Sequence, residues 1–473
     1  MKVIKNYFYT ASYQLLAILI PMITAPYVSR TIGPTGAGIN AFTNSIVSYF
    51  LLIANLGINY YGNREIAYVR DNTQKLVKTF WEIQFLRLCT VVFSIISYFI
   101  FIAAYNHFTI YLIIQSINLF AVFFDVSWLY MGVEDFKYLL VRNLVIKILS
   151  LILIFSLVHN KDDLGIYIFL LGISTLLGNI TLWPKLHEIL HKKINIHVLK
   201  PFKHFKPMFA LFIPTIATQL YIELNKTMLG IMVGTDASGY YTYSDNIIKM
   251  LLTLITSVGT VMLPHVANAF SNGENKKINK MLDFSFNITT CLSIPMCLGI
   301  ISVSPKFSIL FYGRQFGQVG IGMQYEAPVI IFITWSTIVG MQYLIPLKKE
   351  SWFTNSAIIG AVSNILLNIP FISIFHLKGA MISTVISELL VSLYQFIKIR
   401  KLISLPRLFC DVYKYILASI LMFYIIQIIS NKLECSLLFN IIIQAMSGLV
   451  VYGLVLWLLK PNILKRGNGD VKN

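Results

Sequence analysis

Apolar stretches of about twenty residues recur along the whole chain, separated by short polar segments, and few of them contain a charge. Crossing about 30 Å of hydrocarbon takes roughly 20 apolar residues as a helix, so each stretch is a candidate membrane span. About fourteen are predicted, near 7–29, 39–60, 79–105, 108–131, 137–158, 164–183, 207–232, 239–263, 283–304, 322–344, 353–375, 377–397, 409–429 and 436–458. The pattern predicts an all-α polytopic membrane protein.

A repeat divides these spans. Thr31 to Gly38 reads TIGPTGAG, and Met232 to Gly239, offset by 201 positions, reads MVGTDASG. The same offset matches Phe42 with Tyr243, Thr43 with Ser244, Asn44 with Asp245 and Ile46 with Ile247. A phosphate-loop reading of the glycines fails, because Gly38 is followed by Ile39 and not by Lys and a hydroxyl residue. Each copy joins the first two spans of a six-span set. Six is even, so both copies face the same side, and the halves should be related by an axis along the membrane normal. The expected architecture is two pseudo-symmetric six-helix lobes, 1–183 and 207–398. A basic cytoplasmic linker, 184–206, joins them, and 399–473 adds two accessory helices and a cytoplasmic tail.

Composition agrees with a membrane location: 57% of residues are hydrophobic, 12% are charged, and the mean hydropathy is +0.72. With the N-terminus placed inside, 27 of the 38 Lys and Arg fall on the inner side. Six fall outside (Arg30, Lys161, Lys306, Arg314, Lys378, Lys432) and five within spans (Arg87, Lys147, Lys226, Lys249, Lys414). The net charge of +18 thus reports topology and attraction to anionic headgroups, and no nucleic-acid partner is expected. No cleavable signal peptide is expected, since the first span is long and lacks a small-residue cleavage site. The five scattered cysteines suggest neither a disulfide framework nor a zinc site.

Charges inside spans are costly, so each needs a partner or a use. Glu223 and Lys226 share a stripe on span seven, and Asp245 and Lys249 lie one turn apart on span eight. These four either neutralise one another or line a cavity. Arg87 and Asp125 should sit at similar depth on antiparallel neighbours and form an ion pair. Lys147 and Glu388 lie near the midplane and are candidates for a lumen. Arg30 is an interfacial anchor or a cavity cation. The pentapeptide HEILH (His187, Glu188, His191) has metalloprotease spacing, but it opens the basic linker and lacks a third ligand. No metal and no cofactor are expected.

The stretch QLLAILIPMITAPYVSRTIGPTGAGINAFTNSIVSYFLLIANLGINYYGNREIA (Gln14 to Ala67) resembles the N-terminus of Wzx-type polysaccharide-unit flippases, and IELNKTMLG (Ile222 to Gly230) resembles them more weakly. These belong to the multidrug/oligosaccharidyl-lipid/polysaccharide exporter superfamily. The resemblance implies a bacterial inner-membrane protein with both termini cytoplasmic. It would move undecaprenyl-diphosphate-linked oligosaccharide to the outer leaflet through lobes that open alternately, alongside a polysaccharide polymerase and chain-length proteins. It carries Arg30 over as a phosphate contact and Lys226 as the basic residue of span seven. Where the family often has an Asp beside that lysine, this chain has Leu224 and Asn225, with Glu223 nearby, which puts ion coupling at that span in doubt.

A lipid diphosphate bearing sugars calls for cations and for aromatic faces or hydroxyls. The expected cations are Arg30, Lys147, Lys226 and Lys249. The expected aromatic contacts are Tyr221, Tyr241 and Tyr243. Glu223, Asp245, Glu388 and Asp125 are the coupling or structural acids, and Arg64 and Glu65 are expected in an inner-loop gate. Two competitors are weighed. A multidrug cation antiporter would present carboxylates to its drug, and a polysaccharide polymerase or ligase would carry arginine-rich chemistry on a large outer loop. The longest outer loop predicted here is only about Pro305 to Ile321.

Overall fold

The computed structural model describes the backbone of residues 2–190, 198–432 and 435–463. Side chains are described over the same residues except 2–19, 211, 213–215, 217–218, 221, 257–261 and 263–264. Among them the chain is helical throughout and folds as two compact units, Met1–Gly230 and Ile231–Asn473.

The first unit contains α1 (Lys2–Asn55), α2 (Ile58–Val69), α3 (Thr73–Tyr105), α4 (Thr109–Gln115), α5 (Ile117–Phe124), α6 (Ser127–Gly132), α7 (Phe136–Leu157), α8 (Leu164–Ile180), α9 (Leu186–Ile189) and nearly all of α10 (Phe205–Met232). Polar side chains start its helices: Asn72 caps α3 by accepting from Lys75 N at 3.1 Å, and Asp135 caps α7 by accepting from Tyr138 N at 3.3 Å. One core gathers Phe80 stacked on Trp128 at 5.5 Å, with Ile58, Ile83 and Leu129. A second gathers Phe42, Tyr98, Val47 and Leu119.

The second unit contains α11 (Thr235–Ser271), α12 (Asn275–Tyr312), α13 (Gly317–Glu326), α14 (Val329–Thr337), a π-helical turn (Ile338–Leu344), α15 (Glu350–Phe375), α16 (Leu377–Ile399), α17 (Leu405–Leu408), α18 (Val412–Lys432) and α19 (Leu437–Leu459). Phe286, Phe396, Tyr415 and Tyr452 belong to one core, so α18 and α19 share it with α12 and α16. Lys306 of α12 fastens them further, donating to Ser430 Oγ at 2.7 Å and to Asn440 Oδ1 at 3.0 Å.

Large apolar side chains are exposed along α3, α15 and α19, among them Phe93, Ile100, Leu366 and Trp457. Such a surface is stable only against hydrocarbon, and the protein is a multi-pass membrane protein. Ten helices are long and apolar enough to cross a membrane among the described residues, or eleven if the pair bent by 49°, Arg314–Glu326 and Val329–Leu344, is one span. This is fewer than the roughly fourteen predicted from hydropathy. One reason is that Ile20–Val69 runs as a single candidate where the sequence suggests a loop.

The repeat is visible in the backbone. Gly33 has φ 69° and ψ −178°, and Gly234 has φ 131° and ψ 161°, conformations that only glycine adopts without strain. Each breaks the helical path at the matched position. Beyond the breaks, Thr43 Oγ1 bonds Ile39 O at 2.8 Å and Ser244 Oγ bonds Tyr240 O at 2.9 Å, in the same register.

Two local expectations are corrected. Arg87 and Asp125 do meet, but not as an ion pair: Arg87 donates to the main-chain oxygens of Asp125 and Val122 and to Asn59 Oδ1. The helix ends at Phe124, which frees those carbonyls for a buried guanidinium, and the Asp125 carboxylate instead caps Ser127 N at 3.0 Å. Arg64 and Glu65 lie on α2 and not in a loop, because the helix resumes after the left-handed Gly57.

Candidate functional site

The first unit holds a cavity of about 430 Å³ between α1, α7 and α8. Its polar wall is a stripe on α7, Asn143, Lys147 and Ser150 at spacings of four and three, with Arg142 beside it. Tyr167, Ser174, Thr175 and Asn179 of α8 face the same space, and Pro21 and Thr24 of α1 line it. Arg142 is held in place: its Nε donates to Gly178 O at 2.5 Å, and its other nitrogens donate to the side-chain oxygens of Asn143 and Asn179. Asn179 is itself held by Ala121 O at 2.8 Å. A positioned guanidinium, an ammonium and several hydroxyls in one membrane-embedded cavity suit a phosphate that carries sugars.

Lys147 is the predicted site residue that reaches this cavity. Arg30 and Lys226 are not among its lining residues. Arg30 is exposed, one turn before the Gly33 break. Lys226 pairs with Glu223 Oε2 at 3.0 Å, next to Thr227, whose hydroxyl meets Ser45 at 2.9 Å and Tyr49 at 2.8 Å. In the second unit Lys249 pairs with Asp245 Oδ2 at 2.6 Å, and Glu388 is half-buried on α16. Tyr241 is buried, and Tyr243 packs on Tyr312 at 4.7 Å and Phe316 at 5.4 Å, so both rings are largely engaged by the protein. The Tyr221 side chain lies outside the described residues, as does His191 of HEILH.

A second cavity of the first unit, about 480 Å³, is lined by Lys75, Lys78, Thr79 and Lys203 and by Tyr61, Glu65, Val69 and His204. Beside it Glu82, fully buried, accepts from Lys200 N at 2.9 Å, His204 Nε2 at 3.0 Å and Lys203 Nζ at 2.6 Å. With Nε2 donating, Nδ1 of a neutral His204 is an acceptor, and Tyr61 donates its hydroxyl to it at 2.7 Å. Burial pushes the His204 imidazole below its ordinary value, against the opposing pull of Glu82, which keeps this tautomer neutral. Arg64 lies over the Tyr61 ring at 5.4 Å and meets Glu65 at 3.3 Å.

Sequence reasoning missed Arg142 and Glu82. Arg142 could have been found from the polar stripe on span five.

These elements define a class, a two-unit helical membrane transporter. The chain belongs to the polysaccharide biosynthesis protein family, whose profile matches residues 3–270, and residues 141–444 also match the profile of the lipid II flippase MurJ. It is 25% identical over 408 residues to the candidate O-antigen transporter of Escherichia coli (strain K12), covering 84% of this chain and 97% of that one. The fold matches that of the lipid II flippase MurJ in an inward closed conformation. The TM-score is 0.76 at 18% identity, over 96% of this chain and 98% of that one. It also matches an inward-facing multidrug resistance MATE family transporter of the MOP superfamily. There the TM-score is 0.64 at 14% identity, over 83% of this chain and 95% of that one. The membership bears out the resemblance seen in Gln14 to Ala67.

Proposed function

We propose that the protein is a flippase for lipid-linked oligosaccharides. It moves undecaprenyl-diphosphate-linked repeat units from the cytoplasmic to the outer leaflet of a bacterial plasma membrane, for capsule, exopolysaccharide or O-antigen synthesis. The two six-helix lobes expected from the repeat, 1–183 and 207–398, carry the transport, both termini are cytoplasmic, and access alternates between the two faces. It acts as a transporter and not as an enzyme, handing its substrate to a polymerase and chain-length proteins.

The observation that carries this reading is the cavity between α1, α7 and α8, which sets Arg142 and Lys147 among hydroxyls within the membrane-embedded first unit. Two cations fit the charge of a diphosphate, and Ser150, Tyr167, Ser174 and Thr175 fit sugar hydroxyls. Arg30 and Lys226 of the first unit and Lys249 of the second remain candidate cations for the diphosphate. Glu223, Asp245, Glu388 and Asp125 hold neighbouring charge, and Arg64 with Glu65 guards the cytoplasmic end.

The test is deletion of the gene in its host, with leaflet-specific labelling of extracted lipid-linked sugars. Complete repeat units should accumulate on the cytoplasmic side and clear when the wild-type copy is restored. Accumulation of single units on the outer side would assign the loss to polymerisation and overturn the flippase reading.

A further inference from the structure

We propose that the cavity of about 480 Å³ in the first unit is a binding site for a phosphate group, held by Lys75, Lys78 and Lys203. Three elements build it. α2 brings Tyr61, Glu65 and Val69, the start of α3 brings Lys75, Lys78 and Thr79, and the turn Pro201–His204 brings Lys203 and His204. None of these residues lines the cavity that holds Arg142 and Lys147, so the site is a separate one.

The floor of the cavity is already satisfied. Tyr61 donates to His204 at 2.7 Å and His204 donates to Glu82 at 3.0 Å, which leaves the donors for a ligand to the lysines and the Thr79 hydroxyl. Lys203 is positioned by its 2.6 Å bond to Glu82 Oε2. An ammonium has three N–H groups and that bond uses one, so two stay available. Lys78 stands 4.0 Å from the other oxygen of Glu82, too far for a hydrogen bond. Lys75 lies three residues before Lys78 on the same face of α3, where like charges repel.

The charges do not cancel within the protein. Glu65 has its own partner, Arg64 at 3.3 Å, and Glu82 is the other carboxylate beside the cavity. Three lysines and Arg64 face those two carboxylates across a neutral His204, an excess of two positive charges. A phosphate dianion removes that excess, whereas a carboxylate would leave one charge over. The cations are also point charges converging from two segments, with no arginine fork in the wall, which suits a tetrahedral oxyanion better than a planar one. A phosphate bound here bridges α3 to the turn before α10. It can belong to a soluble phosphate compound or to the headgroup of an anionic lipid, and the chemistry of recognition is the same for both.

The experiment is acetylation of lysines in the full-length protein, in neutral phosphatidylcholine nanodiscs, followed residue by residue by mass spectrometry. Inorganic pyrophosphate is the soluble probe, with sodium chloride at equal ionic strength as the control. Nanodiscs containing phosphatidic acid, without pyrophosphate, are the lipid probe. One probe or the other should slow acetylation of Lys75, Lys78 and Lys203 together by at least tenfold. Protection by pyrophosphate assigns a soluble source, and protection by phosphatidic acid alone assigns a headgroup. Lys75→Gln, at an exposed position, should fold and weaken protection of Lys78 and Lys203 by about tenfold in probe concentration, and Lys75→Arg should restore most of it. Protection by neither probe, equal protection by chloride, or an unchanged probe dependence in Lys75→Gln would each overturn the proposal. No lipid-linked sugar is used and no leaflet is read, so failure here is distinct from failure of the flippase reading.

Discussion

Replacing Glu82 by alanine should release Lys200 to His204 from the first unit while leaving the rest of the fold in place. Glu82 is fully buried and accepts from Lys200 N, His204 Nε2 and Lys203 Nζ. Removing it strands a buried donor, His204 Nε2, and a partly buried one, Lys200 N, each at a cost of about 1–3 kcal/mol. The Lys203 pair adds at most about 1 kcal/mol, since that lysine is 51% exposed and well screened. The neighbouring cavity of about 480 Å³ gives water access to the stranded groups, so the lower half of the range applies. A loss of about 3 kcal/mol multiplies the opened fraction by roughly 100, at 1.4 kcal/mol per factor of ten. Trypsin reads this directly. Lys200 and Lys206 each precede a proline and resist cleavage, which leaves Lys203–His204 as the reporter bond of this segment. When opening is fast relative to cleavage, the rate at that bond follows the opened fraction and should rise by about two orders of magnitude. Glu82→Gln keeps an acceptor for Lys200 N and should fall between. A rate in Glu82→Ala within about twofold of wild type would refute the assignment of Glu82 as the anchor.

The same bond should respond to pH. The folded His204 imidazole sits below its ordinary value of 6.5, so below that pH the released segment takes up a proton that the anchored one refuses. Attachment is therefore full above about pH 6.5 and weakens as pH falls toward the folded value, read as faster cleavage after Lys203 once trypsin's own pH dependence is corrected with a peptide standard. Lys147→Glu and Arg142→Ala should each abolish export of repeat units in the leaflet assay while membrane levels hold; normal export in both would remove the cavity from the substrate path. Gly33→Ala and Gly234→Ala should each lower thermal stability in detergent by the equivalent of about 1–3 kcal/mol, since alanine is strained at either backbone geometry. Arg70→Ala should leave thermal stability in detergent unchanged, because its 2.5 Å pair with Glu134 is exposed on both sides and screened by solvent.

Much of the architecture was legible in the chain because hydrocarbon imposes a strict length and polarity on whatever crosses it. The apolar runs and the TIGPTGAG and MVGTDASG repeat already implied a helical membrane protein in two related halves, and Gln14 to Ala67 pointed to the family. The i,i+3 and i,i+4 pairs Glu223–Lys226 and Asp245–Lys249 were legible too, since one helix sets their spacing. Tertiary structure decided everything that depends on two elements meeting. Arg87 took the carbonyls of a broken helix end in place of the Asp125 carboxylate, Arg142 of α7 was fixed by Gly178 and Asn179 of α8, and Glu82 found its partners more than a hundred residues away. Periodicity fixes which face of a helix is polar, whereas the partner of a buried polar group is chosen by packing between helices, which no single stretch of sequence encodes.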